Sequence, residues 1–415
     1  MEFPPPSVLA HVVDVHCHPT DTDIPDGFPD DLQITICAMS NRTRDQPLVR
    51  DIATRCPDKV IPAFGKCARI SVGIHKPGKS PDSDVLMDTR YIGYHPWWSH
   101  QIALTKPVSK RKHYESLLLR PSPSEEDLAV FEKVLENQPE PRLLDDILSE
   151  VRKNLLDFPN ALLGEVGLDR ALRVPHDFDA TPRILSPFTV PLDHQLKIFE
   201  AQLELAVELK RNVSIHSVKA HDATLKLFER MAKKFGNEFW DVSVDMHSCG
   251  FSGQMWKEIE VRFRGKLAQP FCLRALASTR HHQKKYCNVF ISPSAIYNTR
   301  SESHKKLIEA VSPNRLLIES DYNTMSEVTS QTVKILNTVS EIKGWPIEQE
   351  WIDDEDVDGV NTRTRIPESE WGAVRRLEAN WKTFVKGGHR PEQKVLSKFN
   401  RFKNDWVSDD EADEA

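Results

Sequence analysis

The sequence predicts an α/β fold, a TIM-type (β/α)8 barrel with inserted loops and an acidic C-terminal tail. Three observations carry this reading. Eight short β-branched runs recur along the 415 residues, and longer helical patterns alternate with them, as repeated βα units around a parallel sheet require. Several of the runs also end in a metal-ligand type of residue, on the face where such a barrel collects its active site. A doubly wound open sheet is the competing architecture, because periodicity does not distinguish closure from an open edge.

The first predicted strand, His11 to His18, alternates in polarity. Strand side chains point to opposite faces in turn, so Asp14, His16 and His18 should project together while Val13, Val15 and Cys17 face the other way. Two convergent imidazoles can hold a divalent metal, and an Asp behind them can orient a ring by accepting its second N–H. The plainer reading is a pair of partly exposed histidines at a strand end, so further ligands are needed. The second and third strands are Gln33 to Met39 and Val60 to Gly65. The fourth, Ala161 to Glu165, runs into Gly164-Glu165-Val166-Gly167-Leu168-Asp169. Leu192 to Leu209 then repeats Leu196, Phe199, Leu203, Ala206 and Val207 at helical spacing, and Ala220 to Phe235 does likewise.

Strand five, Val213 to His216, ends in His216-Ser217, and strand six, Val242 to His247, ends in His247-Ser248. Strand seven is Val289 to Ser292, and strand eight, Leu316 to Ser320, leads into Asp321. Taken singly, Glu165 reads as a loop acid and His216 or His247 as a satisfied core histidine. Taken together, a barrel would bring His16, His18, Glu165, His216, His247 and Asp321 into one pocket.

Composition narrows the class. A chain that is 39% hydrophobic can bury a large core, and a formal net charge of −7 argues against a surface built throughout to grip nucleic acid, though not against a local basic cleft. Met1-Glu2-Phe3-Pro4-Pro5-Pro6 has neither a basic nor an apolar leader region, and no run is apolar enough to span a bilayer, so no membrane partner is expected. The seven cysteines lack Cys-x-x-Cys pairing. Reduced thiols, and hence cytoplasm or nucleus, are expected.

The motifs resemble those of the TatD family of metal-dependent deoxyribonucleases, within the amidohydrolase-like barrels. The matching segments are Val13-Asp14-Val15-His16-Cys17-His18, Gly93-Tyr94-His95-Pro96, Gly164 to Asp169, Gln195 to Ser217, His247 with Phe251-Ser252-Gly253, and Leu316 to Asp321, in the family's order. Asn380 and Phe384 are similar to the Asn-x-x-x-Phe pattern of its last helix. Within that family the sequence resembles a fungal branch named as interactors of an anaphase-promoting-complex subunit. The resemblance implies two divalent metal ions: His16 and His18 bind one with Asp321, Glu165 bridges, and His216 with His247 completes the second. It also implies DNA as substrate, catalytic roles for Glu165 and Asp321, and a substrate-binding role for His95 near the phosphate.

The chemistry of the residues agrees with a hydrolase. Two cations about 3.5 to 4 Å apart clamp the attacking and leaving oxygens of a phosphodiester and lower the pKa of bound water from 15.7 towards roughly 7. Hydroxide then attacks phosphorus in line, with Asp321 accepting its proton. A mixed His and carboxylate shell suits Zn, Mn or Ni, and an oxygen-rich variant Mg. Two other functions stay open: an interaction protein docking a helical-repeat cell-cycle subunit, and a hydrolase of another ester or amide, since fold and metal do not define a substrate.

One barrel is expected over residues 1–406, followed by a disordered acidic tail over 407–415. Departures from the family pattern mark its irregular parts. His247-Ser248-Cys249-Gly250-Phe251-Ser252-Gly253 adds two residues beside a presumed ligand, and Cys249, two residues past His247, does not read as a nucleophile. Lys106 to Leu144 reads as an inserted loop with a short helix around Glu126 to Leu135, in position to form a lid. Trp345 to Glu370 reads as an acidic insertion through Asp353-Asp354-Glu355-Asp356. Joining Gly65 to Tyr94 would restore a family-like strand and loop, so Lys66 to Gly93 reads as translated intron sequence. The basic run Arg262 to Lys285 raises the same question. His75, His281 and His282 are therefore excluded as ligands. Trp97 and Trp98 read as a loop anchor.

Overall fold

The computed structural model describes residues 3–25, 27–40, 45–64, 98–106, 109–177, 184–262, 288–296, 302–352 and 366–389. Seven strands, Val13–Cys17, Thr35–Ser40, Val60–Phe64, Leu162–Asp169, Val213–Val218, Val244–His247 and Val289–Ser292, pair side by side in chain order, all parallel. Residues 316–321 take the eighth position. Leu317 N–H donates to the Ile291 carbonyl at 2.8 Å on one side, while Val15 N–H donates to Ile318 at 3.1 Å and Asp321 N–H to His16 at 3.0 Å on the other. Both edges of the sheet therefore find a partner through one segment, which a doubly wound open sheet would not provide. The barrel is the observed architecture.

Two apolar layers follow from strands buried on both faces. Ile36, Ala38, Phe64, Val213, Ile215, Val244, Met246 and Ile318 belong to a large cluster shared with the helices, including Phe199, Leu203 and Phe228. Val15, Cys37, Met39, Ala63, Leu162, Phe290 and Leu317 form a second cluster with Trp381 and Phe384 of the final helix, Ala373–Lys386. That helix is pinned where the sequence pattern suggested: Asn380 donates to the Pro313 and Leu316 carbonyls at 2.7 and 2.8 Å.

The insertion after the third strand has more structure than expected. It holds two helices, Lys110–Leu118 and Glu125–Glu136, and the two-residue strand Arg142–Leu143, which pairs with Ile102–Ala103 just before the insertion. The second matches the expected helix and starts at a capping box between Ser124 and Asp127. The first was hidden in a charged run because it buries only Tyr114 and Leu118, four residues apart. Tyr114, Leu118, Phe131 and Val134 pack with Leu172, Val174, Phe188 and Val190 into a core separate from the barrel's.

The expected insertion 66–93, residues 263–285 of the basic run, Asp353 to Asp356, the tail 407–415 and His75, His281 and His282 lie outside the described residues. No helix among the described residues is long and apolar enough to cross a membrane.

Candidate metal centre

The six residues at the strand ends converge. His16 and His18 leave the first strand, Glu165 lies within the fourth, His216 in the fifth, His247 ends the sixth, and Asp321 ends the closing segment. All are buried. Glu165 stands at the centre, and its two oxygens face two different histidine pairs. Oε1 lies 2.9 Å from both His216 Nδ1 and His247 Nε2. Oε2 lies 3.5 Å from both His16 Nε2 and His18 Nε2. Asp321 Oδ1 is 3.7 Å from His18 Nε2, and the His16 and His247 rings stack at 3.9 Å.

Asp14 departs from its expected place. The strand register shifts between Asp14 and Cys17, so simple alternation fails there. Val15 joins the inner cluster, yet His16 also reaches the centre, and Asp14 turns away to accept from the Thr332 hydroxyl at 2.9 Å. Its other oxygen accepts from the backbone N–H groups of His16 and Ser320 at 3.1 and 3.0 Å. Asp14 thus ties the first strand to the closing segment and does not orient an imidazole. That task falls to Ser214, whose Oγ is 2.7 Å from His16 Nδ1.

Other supports went unread in the sequence. Asp169 Oδ2 is 3.4 Å from His216 Nε2. Gln195 clamps Asp169 by accepting from its N–H at 2.8 Å and donating to its carbonyl at 3.0 Å. Glu319 Oε1 is 3.3 Å from His247 Nδ1 and accepts from both the N–H and the hydroxyl of Ser248 at 2.8 Å. The Ser292 hydroxyl lies 2.8 Å from Asp245 and 2.5 Å from Glu319. A usable signal existed: Ser214, Asp245 and Glu319 each precede a predicted ligand by two residues, so they share its strand face one rung deeper.

Burial dominates the electrostatics. It pushes His16 down to about 4, with repulsion from His247 added. It also acts to lower His216, but hydrogen bonds with Asp169 and Glu165 outweigh it and raise that ring to about 9. Asp14 is pushed up to about 7 by burial, against hydrogen bonds from Ser320, Thr332 and His16. Burial and the charge of Glu319 drive Asp245 well above the carboxylate range, whereas the attraction of His247 overcomes burial at Glu319 and holds it low. A serine hydroxyl carries one proton, so Ser292 donates to only one of Asp245 and Glu319 at a time. Cys249 is buried and its thiol is pushed up by burial, which makes it a poor nucleophile.

The donor set fits divalent metal. Three overlapping groups, His16 with His18 and Glu165, His16 with His247 and Asp321, and Glu165 with His216 and His247, each place their donor atoms within 4.8 Å of one another. A central carboxylate with an oxygen toward each histidine pair is suited to bridge two ions, and imidazole with carboxylate is the chemistry of Zn, Mn and related ions. His95 and Trp97 lie outside the described residues, and of Trp98 only the backbone is described.

A sequence model of a family described as TatD related DNase matches residues 89–351. The Cut9-interacting protein scn1 of Schizosaccharomyces pombe is 28% identical over 368 residues, which cover 82% of this chain and 95% of that protein. A Saccharomyces cerevisiae protein described as an uncharacterized deoxyribonuclease is 28% identical over 217 residues, 51% of this chain and 58% of its own length. Among solved structures, the TatD homologue YjjV of Escherichia coli aligns over 91% of this chain and 98% of its own with a TM-score of 0.46 and 13% identity.

Proposed function

The chain belongs to the TatD-related DNase family, and on that premise we propose that it hydrolyses DNA phosphodiester bonds at a two-metal centre built around Glu165. The observation that carries the proposal is the division of the Glu165 carboxylate, one oxygen toward His216 and His247 and the other toward His16 and His18. In this reading His16, His18 and Asp321 would hold one ion and His216 and His247 the other, with Glu165 available to both. Bound divalent ions would supply Lewis acidity at the phosphoryl oxygens.

The remaining steps belong to the chain. Ser214, Asp169 and Glu319 hold the imidazoles by their second nitrogens, so the rings are set before substrate arrives. Burial of all six groups excludes bulk water and strengthens each electrostatic contact. Asp321 accepts the proton of the attacking water as its oxygen bonds to phosphorus and the bond to the leaving sugar oxygen breaks. We place the protein in the cytoplasm or nucleus, where its thiols stay reduced.

The test measures metal content and hydrolysis of an oligonucleotide by purified protein under metal titration. Glu165→Ala should abolish metal-dependent hydrolysis, and an unchanged rate would overturn the reading. A second reading is favoured by the relative named for interaction with Cut9: docking of a helical-repeat cell-cycle subunit. A His16→Ala, His18→Ala double variant separates the two, since docking should survive the loss of metal and hydrolysis should not.

A further inference from the structure

Outside the metal centre, a cleft of about 290 Å3 lies between the inserted helix Lys110–Leu118 and the start of the helix Leu192–Leu209. Lys106, Lys112, His113 and His194 line it together with Thr105 and Ser116, and no carboxylate among the described residues does. Its histidines are fixed in the wall: His194 Nε2 lies 2.6 Å from the Ser99 carbonyl and His113 Nε2 2.8 Å from that of His100. Lys106 and Lys112 are exposed. Among the described residues neither is held in an ion pair, although adjacent Arg111 is tied to Glu115 and Glu132. Within a chain of formal net charge −7, two exposed ammonium groups with no ion pair among the described residues, beside the Thr105 hydroxyl, make a local anion site, while the Ser116 hydroxyl is spent on the His113 carbonyl at 2.8 Å.

The cleft is on the working end of the barrel. His194 sits in the first turn of its helix, next to Gln195, and Gln195 clamps both backbone polar groups of Asp169, whose carboxylate lies 3.4 Å from His216. In a βα unit that first turn lies at the C-terminal end of the strands, the end that carries the six converging residues. We propose that this cleft is a phosphate subsite that holds a backbone phosphate of a single nucleic-acid strand next to the stretch entering the metal centre. The proposal rests on the nuclease reading above. Its volume is below that of pockets for drug-sized ligands, roughly 300–1,000 Å3, and suits one phosphate with its sugar. Phosphate contacts position a strand without reading its sequence, so the subsite sets grip and register and not base preference.

The test uses the full chain in EDTA, where a labelled single-stranded oligonucleotide is bound and not cut. Affinity is followed by fluorescence anisotropy across a salt series. Each phosphate contact to a single strand contributes about −0.7 to the slope of log K against log salt. Lys106→Ala with Lys112→Ala should therefore flatten the slope by about 0.7, the contribution of the one phosphate held, and Lys106→Arg with Lys112→Arg should restore it. Both lysines are exposed, so folding is not at stake. An unchanged slope overturns the subsite, as does absence of oligonucleotide binding by the wild type at low salt. Inorganic phosphate at matched ionic strength is the second probe: competition no stronger than chloride is expected. Specific displacement by phosphate that vanishes in the alanine pair would assign the cleft to a free phosphoryl ligand and overturn the strand reading. Metal uptake is measured alongside. If the wild type takes up no metal, the two-metal reading fails while the salt slope still decides the cleft.

Discussion

Ser248 and Asp321 both hold left-handed backbone, with φ of 44° and 55°, and the Ser248 hydroxyl lies 3.3 Å from Asp321 Oδ2. Two non-glycine residues in that region of conformational space cost energy that the surrounding structure must offset. Here the Ser248 hydroxyl also lies 2.8 Å from Glu319 Oε1, so one side chain spans the proposed proton acceptor and the carboxylate behind His247. Supporting groups of this kind are commonly worth about 10–100-fold in metal affinity or activity. Ser248→Ala should lower metal-dependent hydrolysis by about that factor. Ser248→Gly tolerates the backbone conformation but still lacks the hydroxyl, so it should be equally slow. Recovery in the glycine variant would show that backbone strain, not the hydroxyl, was limiting.

Ser214 is a cleaner test of ring orientation, because it reaches His16 of the first strand from the fifth, across the barrel, at 2.7 Å. Ser214→Ala removes the partner of Nδ1 and leaves the proposed ligand atom Nε2 in place. Metal affinity measured by competition with a chelating dye should fall about 10–100-fold, with no comparable loss in thermal stability of the metal-free protein. Unaltered affinity would mean that the two stacked rings of His16 and His247 hold their geometry without the serine.

The inserted helices have a core of their own, which makes their stability separable from the barrel's. Phe131 is fully buried and meets Phe188 edge-on at 6.2 Å. Phe131→Ala should cost about 3–5 kcal/mol, the usual cost of truncating a buried aromatic. Hydrogen exchange should show that loss over residues 110–136 and 172–190 while the strands Val213–Val218 and Val244–His247 keep their protection. Equal loss everywhere would show one cooperative unit.

The barrel was legible in the sequence because its strands are short and β-rich, with helical periods between several of them, and because strand ends collect on one face. The six converging residues were legible for the same reason. Asp14 was not, since alternation assumes an unbroken strand and the register slips between Asp14 and Cys17. The helix Lys110–Leu118 was missed because two buried side chains in nine residues leave little periodic signal. Ser214 and Glu319 carry no motif of their own. Their role appears only when each is placed two residues before a ligand on a face already known to point inward.

Acid should destabilise the fold through histidines far from the metal ligands. Burial pushes His100 down to about 3, despite its hydrogen bond with Gln138, and His389 down to about 4, with the charge of Arg315 adding to the effect. His389 Nε2 is 2.7 Å from Ser243 Oγ and its ring packs 5.6 Å from Phe290. Both folded values lie below the unfolded value of 6.5. The unfolded chain therefore binds protons that the folded chain refuses, so stability is complete above pH 6.5 and declines as pH falls towards the folded values. Each such group contributes a slope of about 1.4 kcal/mol per pH unit across its window. His389→Gln keeps a polar partner for Ser243 and removes the titration. In metal-free protein, urea unfolding between pH 6.5 and 4 should then show a slope shallower by about that amount, with little change at pH 8. Parallel slopes for wild type and variant would rule out His389 as a source of the acid sensitivity and leave His100 to carry it.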